Sequence, residues 1–306
     1  MAQSLVPFVS VVIPVFNDAR RLRKCLNALE QQSYPGDRYE VIVIDNGSDP
    51  AEKIAEVVAN FPHAIAASEP HPGSYAARNR GIALAGGEII AFTDADCIPA
   101  SDWLEKGVRR LQQSPHLGLV AGRIEVFFED NRITPVALYE KVTAFPQQRL
   151  LKEQKGGATA NVFTFKTVID RVGAFNPHLK ARGDLEWGRR VYQAGYQQMY
   201  AEDVWVAHPA RSSFQDLYRR TVRLVGGIYD SQRMKQSSLL KRNLLFLDAF
   251  FKSLVPPLMF LWNTLQDTRL QSLEQKIQVW GVMILVRYIS AYEMLRLKLG
   301  GVSARG

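Results

Sequence analysis

The sequence predicts an α/β fold, a mostly parallel sheet flanked by helices. Two observations carry it. Through the first half of the 306-residue chain, short apolar runs alternate with stretches whose apolar residues recur at helical spacing. Three of those runs then end in polar or acidic residues. Strands covered on both faces read as near-continuous apolar runs, whereas strands of one-sided sheets alternate.

The first run, Val9-Ser10-Val11-Val12-Ile13, is a strand by this criterion. Leu22, Cys25, Leu26 and Leu29 follow at steps of three and four, the signature of a helix with one apolar face. Val41-Ile42-Val43-Ile44 predicts a second strand and Ala51 to Asn60 a second helix. Beyond a Gly-containing loop a helix is expected around Tyr75 to Ala85, then a third strand from Glu88 to Thr93 that ends at Asp94. From about Gly118 the links lengthen. Strands are expected at Leu117 to Ile124 and Asn161 to Phe165, and helices at Lys166 to Val172 and Asp184 to Ala194, the last closed by Gly195.

Two apolar segments follow, Leu244 to Trp262 and Ile277 to Leu297. Crossing a bilayer takes roughly 20 residues. Asp248, Lys252 and Pro256-Pro257 interrupt the first segment, and Arg287 and Glu293 the second. Charge is costly at mid-bilayer, so amphipathic helices lying in the membrane interface are expected ahead of spans, with packing on the rest of the protein as the alternative.

Hydrophobic residues make up 47% and charged residues 22%, the composition of a globular chain. A net charge of +8 suits nucleic acid, an anionic membrane surface or a phosphate-bearing substrate. Nucleic acid is disfavoured, because the basic residues, crowded between Arg211 and Arg242, are not interleaved with aromatics in a binding motif. Cys25 and Cys97 have neither paired nor metal-like spacing and read as reduced thiols. Met1 to Pro7 lacks a basic start and a long apolar run, so the N-terminus is expected to stay in the cytoplasm.

In open α/β sheets ligands gather beyond the carboxyl ends of the strands. Asn17 and Asp18, the stretch Asp45 to Asp49, and Asp94-Ala95-Asp96 should therefore share one crevice. Two carboxylates one residue apart at a strand end suit Mg²⁺ or Mn²⁺ that also binds phosphate oxygens. The same triplet alone equally describes a solvated loop.

Order decides between these. Pro14-Val15-Phe16-Asn17, Ile44-Asp45-Asn46-Gly47-Ser48, the stretch Gly73 to Gly81 and Phe92-Thr93-Asp94-Ala95-Asp96 stand in succession. This series resembles the inverting family-2 glycosyltransferases of GT-A (Rossmann-like) fold, over about residues 8 to 210. The resemblance implies a nucleotide diphosphate sugar donor, a UDP-sugar being favoured, with Mn²⁺ or Mg²⁺ as cofactor. It further implies that Pro14, Val15, Phe16, Asn17, Ser74 and Ala95 border the nucleotide and that Asp45 accepts hydrogen bonds from base or ribose. Arg78 would neutralise the diphosphate or orient Asp45. Asp94 would face ribose and metal, Asp96 would bind the metal, and His208 is either a third metal ligand or a structural histidine. Gly157 and Asn161, in the small-residue segment from Gly156 to Phe163, would run beneath the donor sugar, and Trp187 would stack on an acceptor sugar or sit in the core.

An inverting transfer also needs a base for the acceptor hydroxyl. Asp184 matches the family's position, with Glu186 as the other candidate; the usual acid just before it is Gly183 here. The implied organisation is a GT-A domain over 1–215, its nucleotide half about 8–116 and acceptor half about 117–215. A basic and apolar helical region over 216–306 would follow, membrane-associated at the cytoplasmic face. There Arg219, Arg220, Arg223 and Arg233 would close over the diphosphate, contact a polyprenyl phosphate, sit on anionic lipid or form a solvated helix face, and Gly226-Gly227 reads as a hinge. The acceptor implied is a glycan or a lipid-linked sugar, as in polysaccharide or glycolipid synthesis. A nucleotidyltransferase should carry a Gly-rich basic loop where Val15-Phe16-Asn17-Asp18 stands. A sugar-nucleotide-binding or scaffold protein without catalysis is favoured only by Gly183.

Overall fold

A computed structural model describes residues 6–131, 133–235 and 238–304, with residues 131 and 232–235 through the backbone alone. The side chain of Arg233 therefore lies outside the described residues. The chain divides into two units: Met1–Glu125 with Phe145–Pro177 and Gly183–His208, and Val126–Ala144 with His178–Arg182 and Pro209–Gly306. A single boundary at 215 is not what divides them, because the excursion 126–144 leaves the sheet and packs with the later helices.

In the first unit, β1 (Val9–Val15), β2 (Tyr39–Asp45), β3 (Ala64–Ser68) and β4 (Ile89–Thr93) are parallel neighbours. Helices α1 (Ala19–Glu30), α2 (Ile54–Val58) and α3 (Ser74–Leu84) connect them. Leu22, Cys25, Leu26 and Leu29 form the buried face of α1, as their spacing predicts. After β4 come the short β5 (Ile98–Pro99), α4 (Trp103–Leu111) and β6 (Leu117–Phe127). They are followed by α5 (Pro135–Thr143), α6 (Gln147–Gln154), β7 (Asn161–Phe165), α7 (Lys166–Val172), α8 (Gly183–Gln193) and β8 (Gln197–Pro209). The eight-stranded sheet has the order β3-β2-β1-β4-β7-β6-β8-β5, with β7 antiparallel to β4. Because β1, β2 and β4 run the same way, Asn17, Asp45 and Asp94 emerge along one edge of the sheet.

The second unit is helical. It joins α5 to α9 (Phe214–Lys235), α10 (Leu239–Leu254), α11 (Leu258–Gln266) and α12 (Leu273–Lys298), with α12 packed on the other four. Val136, Leu138 and Tyr139 of α5 meet Leu217, Val279 and Val282 in its core. Glu140 is buried and pairs with Arg211 at 2.8 Å and with Arg220 at 3.5 Å. Gly226-Gly227 is no hinge but lies inside α9. A Cβ at 226 would stand 2.9 Å from Ser303, and one at 227 would stand 2.7 Å from Ala181, so the pair admits two close neighbours.

The apolar segment Leu244 to Trp262 is two helices, not one. Proline has no N–H to donate and clashes with the preceding turn, so Pro256-Pro257 separates α10 from α11. Among the described residues no single helix is long and apolar enough to cross a membrane. α10 and α11 meet that measure only as a pair bent by 51°. Their apolar side chains are left open, with Leu240 70% and Met259 73% exposed.

Candidate active site

The loops after β1 and β2 are knitted together. Asn17 adopts a left-handed backbone, φ 51°, a conformation that asparagine tolerates better than most residues. Its N–H donates to Ser48 Oγ at 2.9 Å, and its Oδ1 accepts from Asp49 N–H at 2.7 Å. Asp45, half-buried, accepts the N–H of Ser48 at its Oδ1 at 2.9 Å. Asn46 donates to the carbonyls of Glu69 and His71, and its Oδ1 accepts from Gly73 N–H at 2.7 Å, fixing the start of α3. Phe16 lies open at 55% exposure beside this network, and Ser74 is exposed at the first position of α3.

From α3, the buried Arg78 reaches the end of β4. Its Nη2 donates to Asp94 Oδ1 and its Nη1 to the carbonyl of Ser74. The expectation that Arg78 orients Asp45 is therefore replaced. Its guanidinium holds Asp94, the first acid of the Asp94-Ala95-Asp96 turn. The second acid faces elsewhere: Asp96 Oδ2 lies 3.4 Å from Nε2 of the buried His208 on β8. Phe145 packs against the imidazole with ring centroids 4.5 Å apart.

Asp184 sits at the start of α8, where its Oδ1 accepts from Leu185 N–H at 2.9 Å and from the Tyr75 hydroxyl at 3.4 Å. Tyr75 in turn accepts the N–H of Gly183 at 2.8 Å. Burial raises the Asp184 carboxyl above the ordinary range, against the opposing pull of the Leu185 N–H and the Arg78 charge. A raised carboxyl that keeps an opening to solvent is the usual preparation of a proton-transferring group. Sequence reasoning passed over Tyr75; its position in the first turn of a helix that also carries Arg78 is the one signal that could have found it.

Four expected residues take other work. Glu186 spends both oxygens on Arg190, at 3.0 and 3.2 Å, and Arg190 caps α7 through the carbonyls of Val172, Gly173 and Ala174. Trp187 is no acceptor platform. It is 1% exposed, packs on Phe92 and Phe175, and donates to Gly173 carbonyl at 3.0 Å. Asn161 is equally enclosed: it donates to the Arg123 and Val204 carbonyls and accepts from Trp103 Nε1, so both amide donors are used and its buried oxygen is out of reach of a sugar. Gly157 is small because a Cβ there would lie 2.8 Å from that of Ala121.

The donor set can be tested against a divalent cation. Asp96, Cys97 and His208 offer ligand atoms within 4.8 Å of one another. Sulfur is a soft donor poorly matched to a hard ion, and burial with the Asp96 and Asp94 charges raises the Cys97 thiol well above its usual range, so Cys97 is the least suited of the three. One carboxylate and one imidazole remain, which fits Mn²⁺ or Mg²⁺ with its other positions open to phosphate oxygens and water.

The family model for glycosyl transferase family 2 matches residues 10–173. The chain belongs to that family. It is 39% identical over 229 residues to glycosyltransferase AglE of Haloferax volcanii, covering 73% of this chain and 74% of that one. A dolichyl N-acetyl-α-D-glucosaminyl phosphate 3-β-D-2,3-diacetamido-2,3-dideoxy-β-D-glucuronosyltransferase of Methanococcus voltae is 24% identical over 231 residues, 70% of this chain and 71% of that one. Among solved structures, the mannosyltransferase PcManGT of Pyrobaculum calidifontis, in complex with GDP-Man and Mn²⁺, shares the fold. Its TM-score is 0.61 at 19% identity, over 96% of this chain and 89% of that one. As a family-2 member the protein is a glycosyltransferase of GT-A fold, and its reaction is glycosyl transfer in glycan biosynthesis.

Proposed function

We propose that the protein carries out a metal-dependent, inverting transfer of one sugar from a nucleotide diphosphate sugar to a lipid-linked or glycan acceptor at the cytoplasmic face of a membrane. The observation that carries this reading is the pairing of Asp96 with His208 at 3.4 Å, beside a second cluster of Arg78, Asp94, Tyr75 and Asp184. Asp96 and His208 would hold the cation, which supplies positive charge against the departing diphosphate. Asp45 would accept from base or ribose. Arg78 sets the direction of Asp94, whose second oxygen is left for the ribose. Asp184, aimed by Tyr75, takes the proton of the acceptor hydroxyl as that oxygen attacks the anomeric carbon.

The GDP-Man and Mn²⁺ held by the mannosyltransferase neighbour support a sugar nucleotide and a divalent ion, and leave GDP beside the expected UDP as the base to test. The dolichyl phosphate in the relative's name supports a lipid-linked acceptor. Seating on an anionic membrane is supported by the open apolar residues of α10 and α11. Thermal shift across UDP-, GDP- and dTDP-sugars, with and without Mn²⁺, tests the reading. One donor should raise the melting temperature only with metal, and Asp96→Ala should remove that rise. No metal-dependent stabilisation by any donor overturns it.

A further inference from the structure

Trp280 and Arg287 lie seven residues apart on α12, so they differ by only about 20° around the helix and share one flank. Lys298 falls on the same flank at the far end of α12. Its ammonium donates to Asn243 and lies 5.4 Å over the Phe246 ring, so this flank runs alongside α10. Trp280 Nε1 and Arg287 Nε are both buried without a hydrogen-bond partner. Among the described residues no ion pair is made by Arg287. A buried N–H left unpaired is costly, which makes two on one flank a sign of an absent acceptor.

The surroundings say which acceptor. No residue of α10 is buried, and Leu240, Phe251, Leu258 and Met259 are open. A soluble anion would leave these side chains in water, whereas a lipid covers them with its chains. Lys241, also exposed, adds positive charge beside them. Arginine's planar fork matches two phosphate oxygens, and an indole N–H is at home at headgroup depth.

We propose that Arg287, with the indole N–H of Trp280, receives the phosphate of a membrane phospholipid where α10 and α12 meet the headgroup layer. The proposal rests on the membrane-surface reading of α10 and α11 and adds a specific headgroup site to it.

Flotation of the full chain with three kinds of vesicle tests it: phosphatidylcholine, phosphatidylcholine with phosphatidylglycerol, and phosphate-free digalactosyldiacylglycerol. Salt of about 0.5 M screens the exposed lysines. The wild type should bind either phospholipid vesicle about fivefold more tightly than the glycolipid one, and Arg287→Gln should bind all three alike. Trp280→Phe should lose part of the preference. If Arg287→Gln does not melt cooperatively, Arg287→Lys, which keeps the charge but not the fork, should still narrow the preference. A wild-type preference unchanged in these variants overturns the headgroup site while leaving the membrane reading intact. Failure of the wild type to float with any vesicle overturns both. Saturable micromolar binding of inorganic phosphate without vesicles, lost in Arg287→Gln, would reassign the site to a soluble anion and overturn the lipid proposal.

Discussion

Arg78 donates to Asp94, and the two acids of the Asp94-Ala95-Asp96 turn are thereby given different partners, a guanidinium for the first and the His208 imidazole for the second. Replacing Arg78 by Met leaves Asp94 without its counter-ion at a half-buried position. Destabilisation of about 1–3 kcal/mol is expected, read as a lower midpoint in urea, together with weaker donor binding by titration calorimetry. An unchanged midpoint would mean that Asp94 is already satisfied by solvent.

Asp96→Ala should cost about a hundred- to a thousandfold in transfer with Mn²⁺ present, while the melting temperature of the unliganded protein barely moves. Transfer assays over a Mn²⁺ series check it. Retained, metal-responsive turnover would remove Asp96 from the metal site.

Asp184→Asn should spare donor affinity and reduce kcat by about two to four orders of magnitude. It should also stabilise the protein. The folded state raises the Asp184 carboxyl, so it binds more protons than the unfolded chain between the ordinary value and the raised one. Stability therefore falls as pH rises through that window, and the amide, which never ionises, escapes the loss. At neutral pH the melting temperature should rise by about 2–4 °C. Scanning calorimetry at several pH values reads both the gain and its disappearance at low pH.

Glu186→Ala separates the two candidate bases. Its carboxylate is committed to Arg190, so the loss should appear as about 1 kcal/mol of stability with kcat within a few-fold of wild type. A collapse of kcat with an unchanged donor KM would move the proton-accepting role from Asp184 to Glu186.

The sheet and its polar edge were legible in the residues. Apolar runs at Val9, Val41 and Glu88 gave strands that are buried on both faces, and the polar residues after them emerge together because the strands are parallel. Partner choice was not legible. Arg78 turns to Asp94 rather than Asp45 although α3 packs on β1 and β2, a choice of partner in space that sixteen residues of sequence do not encode. Asn161 and Trp187 have side chains equally suited to binding sugars and to filling a core. Asn161 was decided by the antiparallel pairing of β7 with β4, which puts it opposite Thr93, and by Trp103, which donates to it. Trp187 was decided by the packing of α8 on Phe92 and Phe175. The break between α10 and α11 was spelled out by Pro256-Pro257, and the apolar run around it hid the break.

The missing acid at 183 has a consequence for how this site can evolve. A Cβ at that position would come within 2.7 Å of the Tyr75 ring, whose hydroxyl accepts the Gly183 N–H. Tyr75 and Gly183 are thus sterically coupled, and a side chain at 183 requires a smaller one at 75. Lineages that keep a tyrosine at 75 should keep glycine at 183, and those that regain a side chain at 183 should have traded the tyrosine away first. Introducing Gly183→Asp alone should be lethal to activity, and the pair Tyr75→Ala with Gly183→Asp less so, an order of events in which one substitution must precede the other.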